Sequence, residues 1–144
     1  MLQEPHTNLR MMLETRRNIM VLGAGLDAAK PAHRLFLDLQ HTNWSFIPVH
    51  PLDKGDVLGN EIQPSALTIN ADIAVFFLSP QRTMEQLLLF DNAMPTDELP
   101  FIWLQPGAAN EDVLEWLNAH DVDHVVDECI VEFIQRHGLD WSNH

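Results

Sequence analysis

The sequence predicts a three-layer α/β fold, a five-stranded parallel sheet with helices on both faces. Three observations carry that prediction. Short apolar runs alternate with amphipathic segments five times, the pattern of strand–helix–strand units joined by right-handed crossovers. One run, Ile73–Leu78, is apolar throughout, which suits a strand buried on both sides. Another, Ile19–Leu22, stops abruptly at Gly23-Ala24-Gly25, and an amphipathic segment begins at Pro31. That order, strand, glycine turn, helix, lets backbone N–H groups approach an anion near a helix N-terminus.

Each element has a local reason. Residues 6–16 read as a short helix with Leu9, Met12 and Leu13 on one face. Strand one is about Asn18–Leu22. Helix one is about Pro31–Gln40, with Ala32, Leu35, Phe36 and Leu39 at helical spacing and a proline where a missing N–H costs nothing. Strand two, Ser45–Val49, closes at His50-Pro51. A loop with Gly55 and Gly59 leads to a weak helix near Pro64–Ile69. Strand three ends at Ser79-Pro80, and Pro80 opens a helix to about Phe90 with Met84, Leu87 and Leu88 on one face. Residues 94–100 form a loop. Strand four is Phe101–Leu104. Asn110 caps a helix to Ala119 that buries Val113, Leu114 and Leu117. Strand five is His124–Val126, and a last helix, Ile130–Arg136, stops at Gly138. No repeat, low-complexity tract or linker divides residues 1–144, so a single domain is expected, with its core at 18–137.

Composition narrows the function classes. Apolar residues are 46% of the chain and charged residues 20%, ordinary for a globular protein. No apolar run approaches the ~18 residues that span a bilayer. The N-terminus shows no basic region followed by an apolar stretch, and a single cysteine, Cys129, excludes an internal disulfide, so a cytoplasmic location is expected. A net charge of −13 argues against nucleic acid or an anionic membrane surface as partner. Of the eight lysines and arginines, Lys30, Arg34, Lys54 and Arg82 fall just beyond strand ends, where open parallel sheets bind ligands. A small phosphate-bearing ligand is therefore the first expectation.

The segment Gly23-Ala24-Gly25-Leu26-Asp27-Ala28 fits a relaxed G-x-G-x-x-A dinucleotide pattern, alone a weak signal. Pro31 implies a longer loop than that motif allows. An NAD site also wants an acidic residue at the end of strand two, where this chain has His50; Asp53, three residues on, is a poor substitute.

A wider series of motifs resembles the bacterial coenzyme A-binding proteins related to the nucleotide-binding domain of succinyl-CoA synthetase. Their V-x-G-x-S turn corresponds to Val21-Leu22-Gly23-Ala24-Gly25. Their basic-Pro pair corresponds to Lys30-Pro31, and their I-P-V-N-P to Ile47-Pro48-Val49-His50-Pro51. Gly59, Asp72, Pro80, Trp103-Leu104-Gln105-Pro106-Gly107 and Asp127-Glu128-Cys129 follow in the family's order, and the match spans roughly 18–131. The expected strand order is 3-2-1-4-5, and the resemblance implies a Rossmann-like domain that binds coenzyme A. Gly23, Ala24, Gly25, Lys30 and Pro31 would cradle its pyrophosphate. His50, Pro51, Lys54, Ser79 and Pro80 would take the adenine end, and Gln105 and Gly107 the pantetheine side. The chain departs from the pattern at Gly25 for serine, His50 for asparagine, Ala32 for serine and Glu128 between Asp127 and Cys129. The stretch 91–100 is also longer than the family's connection.

Nothing catalytic stands out. His6, His33, His41, His50, His120, His124, His137 and His144 form no H-E-x-x-H pattern and read as surface or loop residues; no metal site is expected. Cys129 precedes a helix, but the flanking Asp127 and Glu128 oppose a thiolate, so a buried structural cysteine is expected, with Asp127 as a capping residue. No nucleophile-elbow G-x-S-x-G occurs. The reading is a non-catalytic protein that binds CoA or acyl-CoA. The alternatives are an NAD(P)-dependent oxidoreductase, for which Lys54 leaves room for an NADP phosphate, and a degenerate protein-interaction module without nucleotide.

Overall fold

The computed structural model describes residues 5–139, with side chains from Leu9 onward; residues 1–4, the His6 side chain and His144 lie outside that range. In chain order the elements are α1 (Pro5–Thr15), β1 (Asn18–Leu22), α2 (Pro31–Asp38), β2 (Ser45–Val49), a hairpin of β3 (Asp56–Val57) and β4 (Asn60–Glu61), a 3₁₀ turn (Ala66–Thr68), and β5 (Ile73–Phe76). Then come α3 (Pro80–Ala93), a second 3₁₀ turn (Thr96–Glu98), β6 (Phe101–Leu104), α4 (Glu111–Ala119), β7 (His124–Val126) and α5 (Ile130–Arg136).

Five strands form one all-parallel sheet in the order β2-β1-β5-β6-β7. In terms of the five predicted strands this is 2-1-3-4-5, and it corrects the expected 3-2-1-4-5. Leu22, the last residue of β1, pairs with Val49 on one side and Phe76 on the other. Pro48 supplies the physical reason. Proline has no N–H for a ladder, which confines it to an edge strand, and strand two carries it. The outer edge of β2 is closed locally by Gln63, whose N–H donates to Pro48 O at 2.8 Å. Strand three, β5, has all four residues buried and takes the interior place.

Alternate residues of β1 feed two cores. Ile19 and Val21 face α1, α2 and α5, with Leu13, Leu35, Phe36, Trp103 and Phe133. Met20 and Leu22 face α3 and α4, with Phe76, Leu87, Phe90, Val113 and Leu117. The buried face of α3 is Thr83, Leu87 and Phe90, spaced by four and three; Leu88, expected inside, is 47% exposed. The weak helix expected near 64–69 is the short 3₁₀ turn, and helix α3 runs three residues past Phe90. The β3–β4 hairpin had no counterpart in the sequence reading: two-residue strands are too short to display a period of two.

The chain leaves β1 toward β2 on one side and returns to β5 on the other. The winding therefore reverses at β1, and the crevice outside the carboxyl ends of β1 and β5 is the topological switch point, where ligands bind in open α/β sheets.

Candidate functional site

The glycine turn sits at that switch point. Gly23 has φ +90°, a conformation L side chains rarely adopt, and a Cβ there would collide with the backbone oxygen of Phe77. Gly25 is glycine for a different reason, since its φ is ordinary. A Cβ on it would run into the Asp53 carboxylate and lie 2.8 Å from His50 Cδ2. Ala24 is buried and joins the core under α2.

Four backbone donors of the turn, at Gly23, Ala24, Leu26 and Ala29, are engaged by the chain itself. Gly23 N–H and Ala24 N–H donate to Val49 O at 3.0 and 3.2 Å. Leu26 N–H donates to Asp53 Oδ2 at 2.8 Å, and Ala29 N–H to Asp27 Oδ1 at 3.0 Å. Asp53 is held in turn by His50. The His50 Nδ1 accepts from Leu52 N–H at 3.2 Å and Asp53 N–H at 3.0 Å, so the neutral ring carries its proton on Nε2. This is the turn an asparagine side chain makes with backbone two residues on. His50 thus makes here a turn of the kind open to the asparagine that the resemblance expects at this position.

Two clefts open on either side of Leu78. The first, about 270 Å³, lies between the ends of β1 and β2 and the first turns of α3; Gly23, Pro51, Ser65, Arg82 and Gln86 line it. The Gln86 Nε2 is buried there without a hydrogen-bond partner among the described residues. The second, about 560 Å³, lies between α2 and the ends of β5 and β6; Lys30, Pro31, Ser79, Gln105, Gly107 and Cys129 line it. Together they offer the volume a nucleotide needs. The predicted site residues thus divide: Gly23 and Pro51 border the first cleft, and Lys30, Pro31, Ser79, Gln105 and Gly107 the second. Ala24, Gly25, His50, Lys54 and Pro80 border neither. Ser65 and Gln86 were not read from the sequence, because a lone serine and a mid-helix glutamine carry no local signal.

Some of these side chains already have structural duties. The Ser79 Oγ caps α3, accepting from Arg82 N–H at 3.3 Å. The buried Gln105 Oε1 accepts from Ile130 N–H at 2.9 Å, at the start of α5. Trp103 Nε1 donates to Glu128 O at 2.7 Å. The W-x-Q and D-x-C motifs are therefore one unit, in which β6 holds the segment before α5. That corrects two expectations. Asp127 does not cap α5; it takes φ +58°, and Cys129 occupies the N-cap position without a side-chain cap bond. Cys129 is also partly exposed, at the wall of the second cleft, rather than buried. Among the described residues, no group of three or more His, Cys, Asp or Glu could hold a metal ion, and no helix is long and apolar enough to cross a membrane.

A doubly wound parallel sheet with clefts at its switch point defines the class: a Rossmann-like, nucleotide-binding type of α/β domain. The model of the CoA binding domain family (CoA_binding_2) matches residues 17–133, and the chain belongs to that family. No curated protein matches it. Among solved structures, a Thermus thermophilus protein is 27% identical, with 91% of this chain and 97% of that one covered and a TM-score of 0.75. A conserved hypothetical protein from Pyrococcus furiosus is 24% identical, covering 80% and 97%, with a TM-score of 0.71. A hypothetical protein from Pyrococcus horikoshii OT3 is 21% identical, covering 91% and 90%, with a TM-score of 0.77. The last two show the shared fold.

Proposed function

We propose that this chain binds coenzyme A, or an acyl-CoA, without transforming it. The observation that carries the reading is the open crevice at the β1–β5 switch point in a chain whose residues 17–133 match the CoA binding domain family. In this reading the pyrophosphate lies against the Gly23–Gly25 turn, between the end of β1 and the start of α2. The adenine end takes the first cleft, whose apolar walls include Leu22, Val49 and Leu78 and whose polar groups include Arg82 and the unpartnered Gln86 amide. The pantetheine arm takes the second cleft, past Lys30 and toward Cys129.

The Asp53 carboxylate on the turn favours a second reading, a family member that has given up its nucleotide and keeps the fold for protein contacts. A thermal-shift titration with CoA, acetyl-CoA, NAD, NADP and ATP separates the two. A ligand that binds only the folded chain adds about 2.7 kcal/mol of stability at one hundred times its dissociation constant. The CoA reading expects a shift with CoA and acetyl-CoA, diminished in Lys30→Ala and in Arg82→Ala. No shift with any of the five supports the nucleotide-free module, and a shift with NADP alone supports an oxidoreductase.

A further inference from the structure

Two positions where the chain departs from the pattern it resembles, and a third close by in sequence, meet in space. Gly25 stands for a serine, His50 for an asparagine, and Asp53 follows three residues later. The His50 ring gathers the Leu52 and Asp53 N–H groups on its Nδ1. That turn delivers the Asp53 carboxylate to Leu26 N–H at 2.8 Å, across 27 residues of chain. A side chain at position 25 would occupy the space that Asp53 Oδ2 and the His50 ring now fill. The three residues are therefore sterically coupled: the carboxylate stands where a serine hydroxyl would otherwise point, on a backbone donor of the turn.

We infer that Asp53 is a built-in anion of the glycine turn, which a phosphate-bearing ligand must displace, and that it sets how tightly this chain holds such ligands. The inference rests on the proposed ligand site but concerns this chain's own residue. Two anionic groups cannot share one N–H donor, and like charges forced together weaken binding steeply. Asp53 is positioned to yield. Its side chain is one-third exposed, its Oδ1 is 3.9 Å from His50 Nδ1, and the loop that carries it includes Gly55 at φ +124°. Displacement needs a rotation of one side chain or a shift of the 50–55 loop, with the sheet unchanged.

The test is a calorimetric titration of the whole chain with inorganic pyrophosphate and, separately, with CoA, for wild type, Asp53→Asn and Asp53→Ala. Asn keeps the shape and an acceptor oxygen for Leu26 but removes the charge; Ala empties the position. The expected result is pyrophosphate binding about tenfold tighter or more in both variants, with Ala gaining at least as much as Asn. Leu26 amide hydrogen exchange faster in Asp53→Ala than in wild type would confirm the bond in solution. Equal or weaker pyrophosphate binding by the folded variants overturns the inference, as does no binding by any form. CoA binding by wild type without a gain in the variants overturns it and leaves the CoA reading standing. A pyrophosphate gain with no CoA binding by any form upholds it and removes the CoA reading.

Discussion

The atoms nearest a Cβ at Gly25 would be side-chain atoms, of the Asp53 carboxylate and the His50 ring, whereas the nearest to a Cβ at Gly23 would be backbone, the Phe77 carbonyl. The two glycines of one turn should therefore respond differently to mutation. Gly25→Ala is overpacking, which costs about 1–3 kcal/mol, and the obstacle is removable. In an Asp53→Ala background the same change should cost less, with a coupling energy of about 1 kcal/mol or more in a urea-denaturation double-mutant cycle. Simple additivity would mean that Asp53 does not fill the space beside Gly25. Gly23→Ala has no such escape. It combines a left-handed conformation with a carbonyl that the sheet fixes, since Phe77 N–H is bonded to Leu22 O at 3.0 Å. A loss of about 1–3 kcal/mol or more is expected, read as a fall in the urea midpoint.

The strands β1, β2, β6 and β7 and the helix α5 coincide with the residues read from sequence, because each is a short apolar run or an amphipathic turn with a breaker beside it. What misled was pairing. Apolar runs announce strands but not neighbours, and the informative residue, Pro48, sits inside a run that otherwise reads as interior. The site was legible to a similar depth. Gly23 follows β1 in a glycine turn and Lys30 lies just beyond it, and both border a cleft, as does Gly107, which only the resemblance pointed to, but the meeting of Asp53 with Leu26 is a contact between loops that no local pattern encodes. Gln105, read as a ligand contact, lines the second cleft, and its Oε1 also supports α5. That support makes a prediction at the level of the element. Gln105→Leu keeps the bulk but leaves the Ile130 N–H buried and unpaired, at a cost of about 1–3 kcal/mol. Amide exchange should rise first in α5, at Ile130–Arg136, while the central strands β1 and β5 keep their protection relative to global unfolding. Uniform acceleration across the molecule would show that the bond stabilises the whole fold rather than one helix.

For the molecule as a whole, charge and proposed ligand oppose each other. The chain carries a net charge of −13, and CoA is itself a polyanion. The cations that favour it, Lys30 and Arg82, act at short range inside the clefts, while the bulk of the acidic surface acts at a distance. Salt distinguishes these ranges, because the screening length falls from about 30 Å at 0.01 M to about 10 Å at 0.1 M. Over that interval the long-range repulsion is lost before the close contacts are. The association rate constant of CoA, followed by stopped-flow fluorescence of the tryptophans, should therefore rise with added salt, the reverse of the slowing seen when opposite charges steer an encounter. The dissociation rate should rise as well, since the contacts to Lys30 and Arg82 weaken, so the equilibrium affinity changes less than either rate. Asp53→Asn removes a charge beside the turn rather than from the distant surface; it should slow dissociation and leave the salt slope of association nearly unchanged. An association rate that falls with salt would place the controlling charges in the clefts and make the acidic surface irrelevant to capture.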